Sequence, residues 1–147
     1  MIGAVPLGDA ERAVLVAAMD RLVPPVDDLP GAGALGLADS VESLASRHAP
    51  YDHALRSLTG RLAATAFVEL PGSTQDIQLQ ALERAEPATF AAVLDLVYLA
   101  YYADPRVHRR IGWRSGPLQP TGFPLAPFDE TIVETVRRRP PFWRPTR

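Results

Sequence analysis

Apolar side chains recur at steps of three and four along most of this chain. No stretch of useful length alternates apolar with polar at every second position. The first spacing belongs to one face of an α-helix and the second to a half-buried strand, so the pattern predicts an all-α protein. Asp9 stands where it can cap a helix over residues 10–23, with Leu15, Ala18, Met19 and Leu22 facing inward. Pro24 and Pro25 end it, and a Pro/Gly-rich loop with Asp27 and Asp28 follows. A second helix over residues 37–48 turns Leu37, Val41 and Leu44 to the core. Beyond Pro50, residues 51–70 place Leu55, Leu58, Leu62 and Ala66 at helical spacing. Ser73, with Asp76 three residues on, resembles a capping box and opens a fourth helix bearing Ile77, Leu79 and Leu82. Pro87 suits a first helical position. It leads into the strongest stripe of all, Phe90, Val93, Leu94, Val97, Tyr98 and Tyr101, expected to be the central core helix. Asp129 can cap a short last helix ending in Arg137, Arg138 and Arg139, where the helix dipole favours cations.

The expected architecture is therefore a single helical domain of about six helices over residues 1–147. A long structured loop rich in Gly, Pro and aromatics, residues 104–128, precedes the last helix, and residues 140–147 form an extended tail. Loops of that length in compact domains are usually functional or disordered, and the aromatic side chains in this one argue against disorder.

Composition narrows the chemistry. The chain has no cysteine, which excludes disulfides, thiolate metal sites and a cysteine nucleophile. It has no lysine either, which excludes a Walker lysine or a Schiff base. The net charge of −2 conceals an asymmetry: residues 1–103 hold 13 acids and 6 arginines, residues 104–147 only 4 acids and 9 arginines. Such a basic final third can face phosphate, an acidic partner, or the protein's own acidic body. The first residues show no basic, apolar signal pattern, and no run approaches the ~18 apolar residues of a membrane span. The expectation is a soluble, cytoplasmic protein without direct membrane insertion.

Catalytic constellations are scarce. His48 and His53 straddle Pro50, and His108 sits beside Arg109 and Arg110; none forms an i, i+4 pair or an HExxH motif. No serine lies in GxSxG. Gly31, Gly33 and Gly36 spell G-x-G-x-x-G, but a helix ending in Pro-Pro precedes them where a nucleotide fingerprint needs a strand. Asp95 is the exception worth weighing. It interrupts the most apolar helix near the edge of the buried stripe, where an acid needs a partner, and an arginine of the basic third could supply one. A small helical enzyme using Asp95 and the histidines is one alternative. A nucleic-acid or regulatory binding module built on the arginine–aromatic stretches is another, although no reading-helix module is present.

Three segments in order resemble the gluconate 2-dehydrogenase subunit 3 (small, or gamma, subunit) family. They are "MDRLVPPVDDLPGAGALGLADSVESL" at residues 19–44, "FAAVLDLVYLAYYADPRV" at residues 90–107 and "IGWRSGPLQPTGF" at residues 111–123. The glycine that usually precedes the paired tyrosines is Ala100 here, and the twin-arginine export signal many members have is not visible. The resemblance implies a non-catalytic companion of a large FAD-dependent oxidoreductase of the glucose-methanol-choline class, which oxidises a sugar or related alcohol. This chain would then bind no cofactor, no metal and no nucleic acid, the FAD belonging to the partner. Aromatic and arginine side chains dominate interface hot spots. On that ground the expected partner-binding residues are Tyr102, Arg106, Arg109, Trp113, Arg114 and Phe123, with Phe142, Trp143 and Arg144 of the tail as a second clamp. The competing expectation is that the loop folds back over the domain's own helices. Tyr98 and Tyr101 are expected in the core, and Trp113 is expected to be shared.

Overall fold

A computed structural model describes residues 6–114, 116 and 121–140. Contacts group the chain into two units, Met1–Arg114 and Ser115–Arg147. Helices α1 (Asp9–Leu22), α2 (Ala38–Ala45), α3 (Ala49–Ala63), α4 (Gly72–Ala85), α5 (Pro87–Ala103) and α6 (Pro105–Arg110) build the first unit; α7 (Thr131–Arg137) belongs to the second. Among the described residues there is no β-strand, only an isolated bridge between Val26 and Leu29. The all-α expectation holds, with seven α-helices among the described residues rather than about six, because part of the long loop is itself helical.

α5 is central as expected, packing against α2, α3, α4 and α6, while α1 packs on α2, α3 and α4. The buried side chains, led by Leu15, Met19, Val41, Leu55, Leu62, Phe67, Leu96, Val97 and Val107, form one core cluster. Burying each such side chain is worth roughly 1.5–3 kcal/mol.

Several local expectations give way. Asp9 is the first residue of α1 and not its cap; Gly8 caps it, its N–H donating to Glu11 Oε2 at 3.0 Å. Pro50 lies in the first turn of α3 instead of preceding it, where a missing N–H costs nothing. α3 stops at Ala63, because Ala66 turns left-handed at φ 52°. That turn leaves Ala66 exposed and drops Phe67 into the core. Buried Gln75 of α4 locks the turn by donating from Nε2 to the Phe67 carbonyl at 2.9 Å. The Ser73–Asp76 box does not form; Pro71 caps α4, and Asp76 instead takes Arg21 Nε at 2.7 Å, joining α4 to α1. Ile77 faces solvent.

The glycines of the α1–α2 loop have a structural reason. A Cβ on Gly33 would lie 2.1 Å from the Val16 carbonyl oxygen, and one on Gly31 would lie 2.3 Å from Asp20 Oδ1. The loop backbone rests directly on α1, and Asp20 Oδ1 accepts the Ala34 N–H at 3.0 Å. The space a pyrophosphate would need is filled by the protein's own helix, so the glycine pattern is a packing device.

In the second unit, the Asp129 carboxylate accepts the Thr131 hydroxyl at 2.6 Å and its N–H at 3.0 Å. Both bonds hold its pKa below the usual carboxylate value.

Candidate functional surface

The start of the predicted interface loop is α6, sealed at both ends. Asp104 Oδ1 accepts the Arg106 N–H at 2.8 Å, and Pro105 occupies a first-turn position. At the other end Gly112, at φ 69°, lets the Trp113 N–H reach back to the His108 carbonyl at 2.9 Å. This is a Schellman-type stop, and it sets the position of Trp113. Fully buried Val107 anchors the helix to the core.

Its arginines divide into two groups. Arg106 donates from Nη2 to the Leu35 carbonyl at 2.8 Å and from Nε to Asp104 at 2.9 Å. The Arg106 guanidinium is the main reason the Asp104 pKa falls to about 2, against an opposing push from burial. Arg110 bonds Asp28 from Nε at 3.0 Å and also holds Asp27, the loop residue with left-handed backbone. Part of the basic segment therefore does pair with the protein's own acidic loop. Arg109 and Arg114 are exposed and have no ion-pair partner among the described residues.

The aromatic residues assemble into a face. On α5, Asp95, Tyr98, Leu99, Tyr102 and Ala103 follow one another at helical spacing, beside the buried row of Val93, Leu96, Val97 and Ala100. The pattern expected Tyr98 and Tyr101 in the core. Tyr101 is buried, and that burial raises its pKa. Tyr98 is 41 % exposed. Leu99, Tyr102 and Trp113 are 56, 55 and 55 % exposed, and Ile111 is exposed as well. Tyr102 rests edge-on against Tyr101 with ring centroids 5.3 Å apart and lies 6.2 Å from the Tyr98 ring. The Trp113 ring lies 6.2 Å from that of His108, whose Nε2 donates to the Tyr102 carbonyl. Tyr51, Asp95, Tyr98, Leu99, Tyr102, Ala103 and His108 line an open groove of about 650 Å³. Leu99 also borders a second groove, towards Ser40, Ser43 and Arg47 of and beyond α2.

Asp95 was expected near a buried stripe with an internal arginine; it is exposed and has no ion pair or hydrogen bond among the described residues. Asp95 and His108 share the groove yet form no ion pair, and His48 and His53 lie exposed on α3 and at its start. Among the described residues no three His, Asp or Glu side chains could together hold a metal. Also among them, no helix is long and apolar enough to cross a membrane. Phe123 of the second unit is 71 % exposed. Phe142, Trp143 and Arg144 lie outside the described residues. Sequence reasoning selected Tyr102 and Trp113 but missed Tyr98, Leu99 and Ile111. For Tyr98 and Leu99 the signal was available: α5 is apolar on nearly every side, which means more than one of its faces seeks cover.

These features define a small helical protein whose most distinctive surface is an uncovered aromatic face on its central helix. A family model described as Gluconate 2-dehydrogenase subunit 3 matches residues 9–117. The chain belongs to this family, an accessory-subunit family whose name implies a multi-subunit dehydrogenase complex. No curated protein and no solved structure matches the chain.

Proposed function

We propose that this chain is the non-catalytic small subunit of a FAD-dependent sugar or alcohol dehydrogenase, which it binds and stabilises through the α5–α6 face. One observation carries the reading: the central helix presents Tyr98, Leu99 and Tyr102 to solvent, and the turn that ends α6 exposes Ile111 and Trp113, with the Trp113 ring against that of His108. Leaving such rings in water forgoes free energy that a partner surface would recover. Tyrosine and tryptophan bury large area with few rotatable bonds, which is why they dominate interface hot spots. The flavin, the substrate and the redox chemistry belong to the large subunit. Arg109 and Arg114, exposed beside the rings, suit carboxylates at the rim of such an interface. The complex forms in the cytoplasm, any export following the partner.

Co-expression with the large dehydrogenase subunit tests this. The expected result is a yellow complex that co-purifies and a large subunit that is less soluble without this chain. A large subunit that folds, binds flavin and stays soluble alone, and does not retain this chain, would overturn the proposal.

A further inference from the structure

Resting on that reading, we propose that the groove beside α5 receives an arginine side chain of the large dehydrogenase subunit, held between tyrosine rings and paired with Asp95. The groove is walled by Tyr51, Tyr98, Tyr102 and the His108 ring, with Leu99 on its edge, and its carboxylate is Asp95. Several acids near α5 already have cations: Asp52 pairs with Arg56, Glu86 with Arg61 and Asp104 with Arg106. Asp95 pairs with none of the described side chains, although it is placed among apolar ones on the most apolar helix. A partner surface covering this groove would strip water from that carboxylate. Its burial is tolerable only if the incoming group brings a positive charge and hydrogen-bond donors. The rings specify which cation fits. A guanidinium stacks flat on tyrosine while its fork bonds a carboxylate, whereas an ammonium is more strongly hydrated and cannot do both as well. Charge complementarity and ring geometry thus point to the same side chain.

The test measures binding of the full chain to the purified large subunit. Asp95→Asn is expected to weaken binding about tenfold and Asp95→Arg more, while Asp95→Glu stays within about threefold. Because Asp95 is exposed, the thermal midpoint of the free chain should not move, which separates binding from folding. Arginines of the large subunit are then changed one at a time to glutamine. One of them should reproduce the loss and show no further loss when combined with Asp95→Asn. Normal binding by Asp95→Asn and Asp95→Arg, alongside weakened binding by Trp113→Ala, would remove the arginine from the groove and leave the subunit proposal standing. No binding by the unaltered chain would remove both. Self-association of the free chain that disappears in Asp95→Asn would show that the groove takes a second copy instead, and would also overturn the inference.

Discussion

Gly33 shows how much one missing methyl group can decide. Its backbone touches the Val16 carbonyl so closely that any Cβ must push the loop off α1. Gly33→Ala should therefore cost about 2–3 kcal/mol in urea unfolding, the scale of an overpacked core. Gly36→Ala has open space around it but a φ of 74°, and should cost only about 1 kcal/mol. Asp104 gives a second prediction at this scale. Its pKa falls from 3.8 to about 2 in the folded chain, chiefly through Arg106. A depressed carboxylate pKa stabilises above the unfolded value and loses that contribution as pH falls towards the folded one. Asp104→Asn keeps a capping oxygen but loses the charge. The variant should be less stable by on the order of 1–2 kcal/mol at neutral pH, with the difference closing between about pH 4 and pH 2.

The elements differ in how far their neighbours were needed to form them. α1, α4 and α5 could be read from their apolar spacing because each run is long enough for the helical step to repeat and is closed by a proline within two or three residues. The end of α3 could not, since its helical spacing runs on past Ala63 and only the core's demand for Phe67 reverses the chain at Ala66. Periodicity does not reveal α6, although Asp104-Pro105 and Gly112 mark both its ends. Its six residues hold a single buried apolar side chain, Val107, so periodicity had nothing to repeat. α6 and the acidic loop are joined by the Arg110 pairs with Asp27 and Asp28. Exposed ion pairs are weak, so Arg110→Ala should change global stability by less than about 1 kcal/mol. Hydrogen exchange should nevertheless quicken at Val26 and Leu29, whose amides bond each other's carbonyls across that loop.

For the molecule as a whole, the aromatic face ties fold to function. Its rings are held in place by the body of the protein yet half exposed, so their removal should separate association from folding. Trp113→Ala is expected to weaken the complex with the large subunit by about 2 kcal/mol and to leave the thermal midpoint of the free chain nearly unchanged. A loss of midpoint without a loss of affinity would assign the ring to the chain's own packing. Salt should weaken association only modestly, because Arg106 and Arg110 are already paired within the chain, and on this segment Arg109 and Arg114 are the arginines without an ion pair among the described residues.

By itself the sequence determined the helical class, the central place of α5 and the family, since these depend on local spacing and on ordered motifs that survive without coordinates. It also limited the chemistry, because a missing cysteine or lysine needs no fold to be noticed. Only the tertiary structure decided which side of a helix apolar nearly all round is covered. Tyr98 and Tyr101 are three residues apart and chemically alike, yet one is buried and the other half exposed, because α2, α3 and α4 cover one side of α5 and leave the other to solvent. It also decided which arginines are already paired within the chain, since those contacts join residues some 70 to 80 positions apart and no local pattern encodes them.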